Sequence, residues 1–181
     1  MAENVLVIIG STRQGRMTPR AAKLVTKTLH DIPGITVKVL DLRDLDMPFL
    51  TERLKYLTDP HPNVVKFSES VKWASVIIVT SPEYNGSCPG VLKNALDYLT
   101  HEYLNKKIGI VTVSAGPIGG NGCYSTLKTL FNRLGARECN HLKINRVRET
   151  LSADGDDVEN LYQKLLREFL NSLIDNRHTN D

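Results

Sequence analysis

The sequence predicts a doubly wound α/β fold, a five-stranded parallel sheet with helices on both faces. Five short apolar runs are spaced along the chain, and segments with helical apolar spacing separate them. The length of 181 residues suits one domain, for which about 100–200 residues is usual. Alternating strands and helices require right-handed crossovers, which place helices on both faces of the sheet. A single domain over residues 1–181 is the expectation.

Val5-Leu6-Val7-Ile8-Ile9 is unbroken, mostly β-branched and ended by Gly10, the pattern of a strand buried on both faces. Thr18-Pro19 then marks a helix start, and Ala21, Leu24, Val25, Thr28, Leu29 and Ile32 keep helical spacing. Ile35 to Leu40 is the second strand. Asp41 to Pro62, with Pro48, Pro60 and Pro62, reads as a long irregular stretch suited to a rim or an interface. A helix bearing Trp73, read as core or interface packing, leads into the third strand, Ser75 to Thr80. Val91, Leu92, Ala95, Leu96 and Leu99 form the next helical stripe, followed by a strand from Ile108 to Ser114. Leu127, Leu130, Phe131 and Leu134 form another, stopped by Gly135. A weaker, more polar strand runs from Glu138 to Ile144. The final helix carries Val158, Leu161, Tyr162, Leu165, Leu166, Phe169, Leu170 and Leu173, with Asp154 to Asp157 marking its start.

Composition excludes several classes. Lys and Arg number 23 against 20 Asp and Glu, a net charge of +3 with mixed signs, which argues against nucleic acid as the partner. Cys88, Cys123 and Cys139 form no pair or Cys/His cluster at zinc-ligand spacing, so reduced thiols and no metal site are expected. Met1-Ala2-Glu3-Asn4 has no basic leader region, and no apolar run approaches a membrane span of about 18 residues. A cytoplasmic protein without membrane contact is the expectation.

Three loops at strand ends could carry chemistry. Gly10-Ser11-Thr12-Arg13-Gln14-Gly15-Arg16-Met17-Thr18-Pro19 joins the first strand to the first helix, where free N–H groups face a ligand. Its hydroxyls and two arginines suit a phosphate monoester. Arg16 and Met17 stand where a triphosphate-binding loop needs Lys and Ser or Thr, and the glycines do not fit G-x-G-x-x-G, which argues against a triphosphate or dinucleotide here. Ser81-Pro82-Glu83-Tyr84-Asn85-Gly86-Ser87-Cys88-Pro89-Gly90 follows the third strand and offers backbone edges to a flat heteroaromatic ring. Ser114-Ala115-Gly116-Pro117-Ile118-Gly119-Gly120-Asn121-Gly122 follows the fourth, and its sparse side chains let a ring or second ligand approach the backbone.

Together, Gly10-Ser11-x-Arg13, the stretch Pro82-Glu83-Tyr84-Asn85-Gly86-Ser87-x-Pro89-Gly90-x-Leu92-Lys93-Asn94-Ala95-x-Asp97 and the Gly-rich loop resemble the NADPH-dependent FMN reductase family over roughly residues 4 to 145. The resemblance implies a flavodoxin-like fold with FMN phosphate at Ser11, Arg13, Arg16 and Thr18. It places the isoalloxazine along Pro82, Glu83, Tyr84, Asn85 and Gly86, with further ring contacts from Ser114 to Gly119, Ser114, Gly116 and Gly119 foremost. Many members have Ser-x-Asn where this chain has Arg16-Met17-Thr18. The implied activity is hydride transfer from NADPH to FMN and then to a quinone, flavin, azo or metal-oxyanion acceptor, in two alternating half-reactions. A homodimer or homotetramer is implied, and the helix face of Leu92, Leu96 and Leu99 could take part in its interface. No protein acid or base is required, so no catalytic residue is assigned.

Two rival readings remain. An FMN-binding electron carrier shares the fold, but such carriers are usually acidic. Gly86-Ser87-Cys88-Pro89-Gly90 also reads as a thiol nucleophile elbow, which needs a partner from His101, His141 or His178. His101-Glu102-Tyr103-Leu104-Asn105 lacks the second histidine of a zinc motif and reads as a polar helix end.

Overall fold

The computed structural model describes residues 3–174, so Met1, Ala2 and His178 lie outside the described residues. The strands are β1 (Glu3–Ile9), β2 (Ile35–Asp41), β3 (Val76–Pro82), β4 (Lys107–Val113) and β5 (Glu138–Ile144). They form one parallel sheet in the order β2-β1-β3-β4-β5. The order reverses at β1 and β3, the kind of point where open α/β sheets bind ligands beyond the strands' carboxyl ends. Thr80 pairs with Ile9, Pro82 with Val113, and Val113 with Ile144, so four strand ends meet along one edge.

Alternation along each strand sorts side chains to two faces. Leu6, Ile8, Ile77, Val79, Ile108 and Ile110 pack beneath α3 (Pro62–Trp73), α4 (Gly90–Asp97) and α5 (Asn121–Arg133). Val5, Val7, Val76, Ile78, Val111 and Val113 pack against α1 (Thr18–His30) and α7 (Gln163–Ile174). Gly109 of β4 has no side chain on this second face, where a Cβ would stand 2.7 Å from both Leu173 and Phe169. Its absence lets α7 lie close to the sheet.

Two expectations need correction. The final helix starts at Gln163, because Gly155 and Asn160 take positive φ and Asp157 bridges back to Leu151. The buried Asp157 carboxylate accepts from the N–H groups of Leu161, Tyr162 and Gln163, capping α7 from beyond its first residue. Val158 and Leu161 are thus exposed loop residues. The stretch from Asp41 to Pro62 is also not wholly irregular. It contains a one-turn helix, α2 (Leu42–Leu45), whose Leu42 and Leu45 are buried, and a 3-10 turn at Leu54–Tyr56. A further short helix, α6 (Val147–Thr150), follows β5. No helix among the described residues is long and apolar enough to cross a membrane.

Candidate functional site

Gly10 leaves β1 with its N–H on the Thr80 carbonyl at 2.8 Å, and a Cβ there would meet Leu92 at 2.8 Å. The loop closes on itself through the buried Ser11 and Thr18 hydroxyls, 2.7 Å apart. Three successive carbonyls, those of Ser11, Thr12 and Arg13, are engaged. Ser11 O accepts from the Arg16 guanidinium, while Thr12 O accepts from Arg43 at 3.2 and 2.8 Å. Arg13 O accepts from Arg43 at 2.8 Å and from the Arg16 N–H at 3.3 Å. By contrast, the N–H groups of Thr12, Arg13 and Gln14 donate to no protein group among the described residues. Free donors beside a helix N-terminus suit an anion.

The two arginines of this loop differ. Arg16 forks onto the Asp41 carboxylate at 2.6 and 2.5 Å, and both side chains are largely buried. Arg13 is exposed, makes no hydrogen bond or ion pair through its guanidinium among the described residues, and lies 6.0 Å from the Tyr84 ring centre.

In the second loop, Tyr84 and Ser87 exchange N–H···O=C bonds of 2.9 and 3.0 Å around Asn85 and Gly86, whose φ values are 51° and 77°. That is the two-residue hairpin for which Asn-Gly is best suited. Glu83 accepts from the Cys123 N–H at 3.0 Å, so the hairpin caps the first turn of α5. In the third loop, the Ser114 hydroxyl lies 2.9 Å from both Gly116 O and Asn145 Oδ1, and a Cβ on Gly119 would stand 2.8 Å from that of Ser114. The N–H groups of Arg146 and Val147 donate to Gly116 and Ser114, fastening the loop to the end of β5.

These loops enclose a cavity of about 290 Å³ lined by Arg13, Arg16, Thr18, Pro82, Glu83, Tyr84, Ser114 and Gly119 of the sequence-predicted set. Of the other four, Ser11 is buried beneath the first loop, Asn85 and Gly86 form the exposed hairpin tip, and Gly116 faces Ser114 and Arg146. Ala115 and Ile118, within the predicted stretch from Ser114 to Gly119, also line it, whereas the sequence reading missed Met17, Val113, Val147 and Arg148. Arg148 was findable, since β5 ends at the same edge as β1, β3 and β4. A larger groove of about 710 Å³ lies between α4, α5 and the segment around Leu50 and Arg53, but it contains none of the predicted residues. The smaller cavity is the better candidate, because it lies where the ends of β1, β3, β4 and β5 meet and is lined by Arg13, whose N–H is free.

Histidine and cysteine chemistry is placed elsewhere. Burial pushes the Cys123 thiol up to about 12 and also raises Cys88, which is packed in the core. A buried thiol above its usual range is a poor nucleophile, which argues against the elbow reading. His101 is exposed, and Glu102 accepts from the Thr100 N–H. His141 stacks on Tyr124 with centroids 4.0 Å apart and sits 2.8 Å from the Thr112 hydroxyl. The face of Leu92, Leu96 and Leu99 is buried in this chain's own core at 0, 0 and 2% exposure, so its suggested place in an interface is corrected. Leu92 and Leu96 lie on the stripe of α4 that turns to the sheet, and Leu99 follows just after its end.

Burial, then the nearby Lys143 charge, pushes His141 down to about 4. An unfolded histidine titrates near 6.5, so between about pH 6.5 and 4 the unfolded chain binds the extra proton and stability falls with pH. The thermal midpoint is expected to drop through that window, and less so in His141→Gln. An NMR titration placing His141 above 6 contradicts this.

The family model described as NADPH-dependent FMN reductase matches residues 4–147. The NAD(P)H-dependent FMN reductase of Schizosaccharomyces pombe is 32% identical over 130 residues, covering 68% of this chain and 63% of that protein. The chain thus matches under two thirds of that relative's length. The quinone reductase of Escherichia coli K12 is 30% identical over 141 residues, 75% of this chain and 73% of that one. Among solved structures, the flavoenzyme NAD(P)H:(acceptor) oxidoreductase FerB of Paracoccus denitrificans superposes with a TM-score of 0.80 at 22% identity, covering 96% of each chain. That likeness shows the flavodoxin-like fold.

Proposed function

The chain belongs to the NADPH-dependent FMN reductase family, and from that membership we propose that it is an FMN-dependent NAD(P)H oxidoreductase whose cofactor occupies the cavity at the carboxyl edge. The observation that carries this reading is the first loop, where the carbonyls of Ser11, Thr12 and Arg13 are engaged while the following amides are free. Such a loop fits the phosphate of FMN. Arg13 supplies an uncommitted guanidinium beside it, and the Ser11–Thr18 hydroxyl pair shapes its floor.

The ring is taken to lie along the second loop, where Pro82, Glu83 and Tyr84 line the cavity, and Tyr84 and Ile118 flank it. Ile118 is 84% exposed, an apolar surface suited to covering a ring face and excluding water. FMN when bound supplies the redox chemistry, accepting hydride from the nicotinamide and passing electrons to a second substrate in a ping-pong cycle. Arg148, which also lines the cavity and whose side chain makes no hydrogen bond or ion pair among the described residues, would receive an anionic group of the nicotinamide nucleotide. An open, Gly-rich rim admits flat quinone, flavin or azo acceptors and small metal oxyanions.

The reading extends to a single-domain cytoplasmic protein working as a homodimer or homotetramer. Support for the oligomer is the cavity's size, at the low end of the roughly 300–1,000 Å³ usual for ligand sites, which leaves a neighbouring chain room to cover the ring.

A visible spectrum of the purified protein given FMN, then NADPH without oxygen, tests the reading. Expected are a perturbed flavin spectrum and its bleaching by NADPH. Bound flavin that NADPH does not bleach favours the electron carrier. No bound-flavin spectrum contradicts both, and ester hydrolysis lost in Cys88→Ala revives the nucleophile elbow.

A further inference from the structure

We propose that Arg43 is a positioning residue for cofactor phosphate, acting through the backbone of the first loop; the proposal rests on the FMN reading above. Arg43 lies on α2, is exposed, and is not among the residues lining the cavity. Its guanidinium reaches the carbonyls of Thr12 at 3.2 and 2.8 Å and of Arg13 at 2.8 Å. A trans peptide is planar, with its C=O and N–H pointing in opposite directions. Drawing Thr12 O and Arg13 O toward Arg43 therefore turns the N–H groups of Arg13 and Gln14 the other way. Arg16 acts alike on Ser11 O, turning the Thr12 N–H.

Three successive amides are thus aimed by two guanidiniums that hold carbonyls. One carboxylate organises both. Asp41 accepts the fork of Arg16 and also the Arg43 N–H at 2.9 Å, as the cap of α2. Arg16 was expected at the phosphate from the sequence, whereas its guanidinium is held by Asp41 and Ser11 O. The end of β2 and the turn of α2 therefore act as a brace behind the phosphate loop, and Asp41→Asn is expected to loosen both arginines at once.

FMN and riboflavin, which differ by the phosphate, separate this role from a general structural one. Flavin-fluorescence titrations of wild type and Arg43→Ala are compared at low salt and at high salt. Arg43→Ala is expected to lose about tenfold in FMN affinity with riboflavin within about twofold, since each hydrogen bond to a charged group is worth a factor of this order. The deficit is expected to persist in high salt, where the long-range attraction of a surface charge is screened. Retention of wild-type FMN affinity in Arg43→Ala, an equal loss for both flavins, or a deficit that vanishes in high salt overturns the proposal. Wild type that does not favour FMN over riboflavin overturns the cofactor reading instead, and the proposal with it.

Discussion

Arg13→Ala is expected to weaken FMN by about 10- to 100-fold while riboflavin binding changes little, because a hydrogen bond to a charged group contributes about 1.5–3 kcal/mol. Three guanidiniums lie around the first loop, and two are committed, Arg16 to Asp41 and Ser11 O, and Arg43 to Thr12 O and Arg13 O. Arg13 alone of the three is without such partners among the described residues, while it lines the cavity. Its removal costs the fold little and the phosphate much. The position over Tyr84 joins the first and second loops, so some loss for riboflavin is anticipated through the ring. Parallel titrations with the two flavins check this, and equal losses count against a phosphate contact.

Gly122→Ala is expected to damage both stability and binding. A Cβ at Gly122 would stand 2.2 Å from the Gly86 carbonyl oxygen and 2.7 Å from its carbon, and both are backbone atoms that cannot rotate away. The hairpin at Asn85-Gly86 is closed by the Tyr84–Ser87 pair and tied to α5 through Glu83, so neither side yields alone. Overpacking of this kind costs about 1–3 kcal/mol or more, which at this chain length lowers the thermal midpoint by roughly 2–12 °C. FMN affinity should fall as well, because the second and third loops are forced apart. For the thermal midpoint Gly116→Ala is the control, since nothing lies closer than 3.9 Å to a Cβ there. A native midpoint for Gly122→Ala contradicts the contact.

Much of the fold was legible because parallel strands buried on both faces are continuous apolar runs, and Val5 to Ile9 or Ile108 to Val113 cannot be mistaken for surface. Even the polar β5 was bounded by its two ends. The start of the last helix was not legible. Acidic residues do mark it, but Asp157 caps through its side chain after an intervening turn, so an acidic run in sequence fixes the cap and not the first helical residue. Periodicity also identified the stripe of Leu92, Leu96 and Leu99 without saying what it packs on, and it packs on the sheet.

The site was legible as loops and not as roles. Gly10 to Thr18 announces an anion, yet nothing in the sequence says that Arg16 meets Asp41, 25 positions away, or that Arg43 returns to the loop from 30 positions on. Those pairings depend on β1 and β2 lying side by side with Ile9 opposite Asp41. Arg148 was not legible from loop composition because the short connection after β5, Asn145 to Thr150, holds no Gly or Pro to mark it as a ligand loop.

Flavin binding where the strand ends converge is read out residue by residue in an amide-resolved NMR titration with FMN. Saturable shifts are expected at Thr12 to Gln14, at Glu83 to Gly86, and from Ser114 to Gly119, with smaller ones at Arg148. Shifts confined to the larger groove, at Lys93, Ser125, Thr129 and Arg133, contradict it.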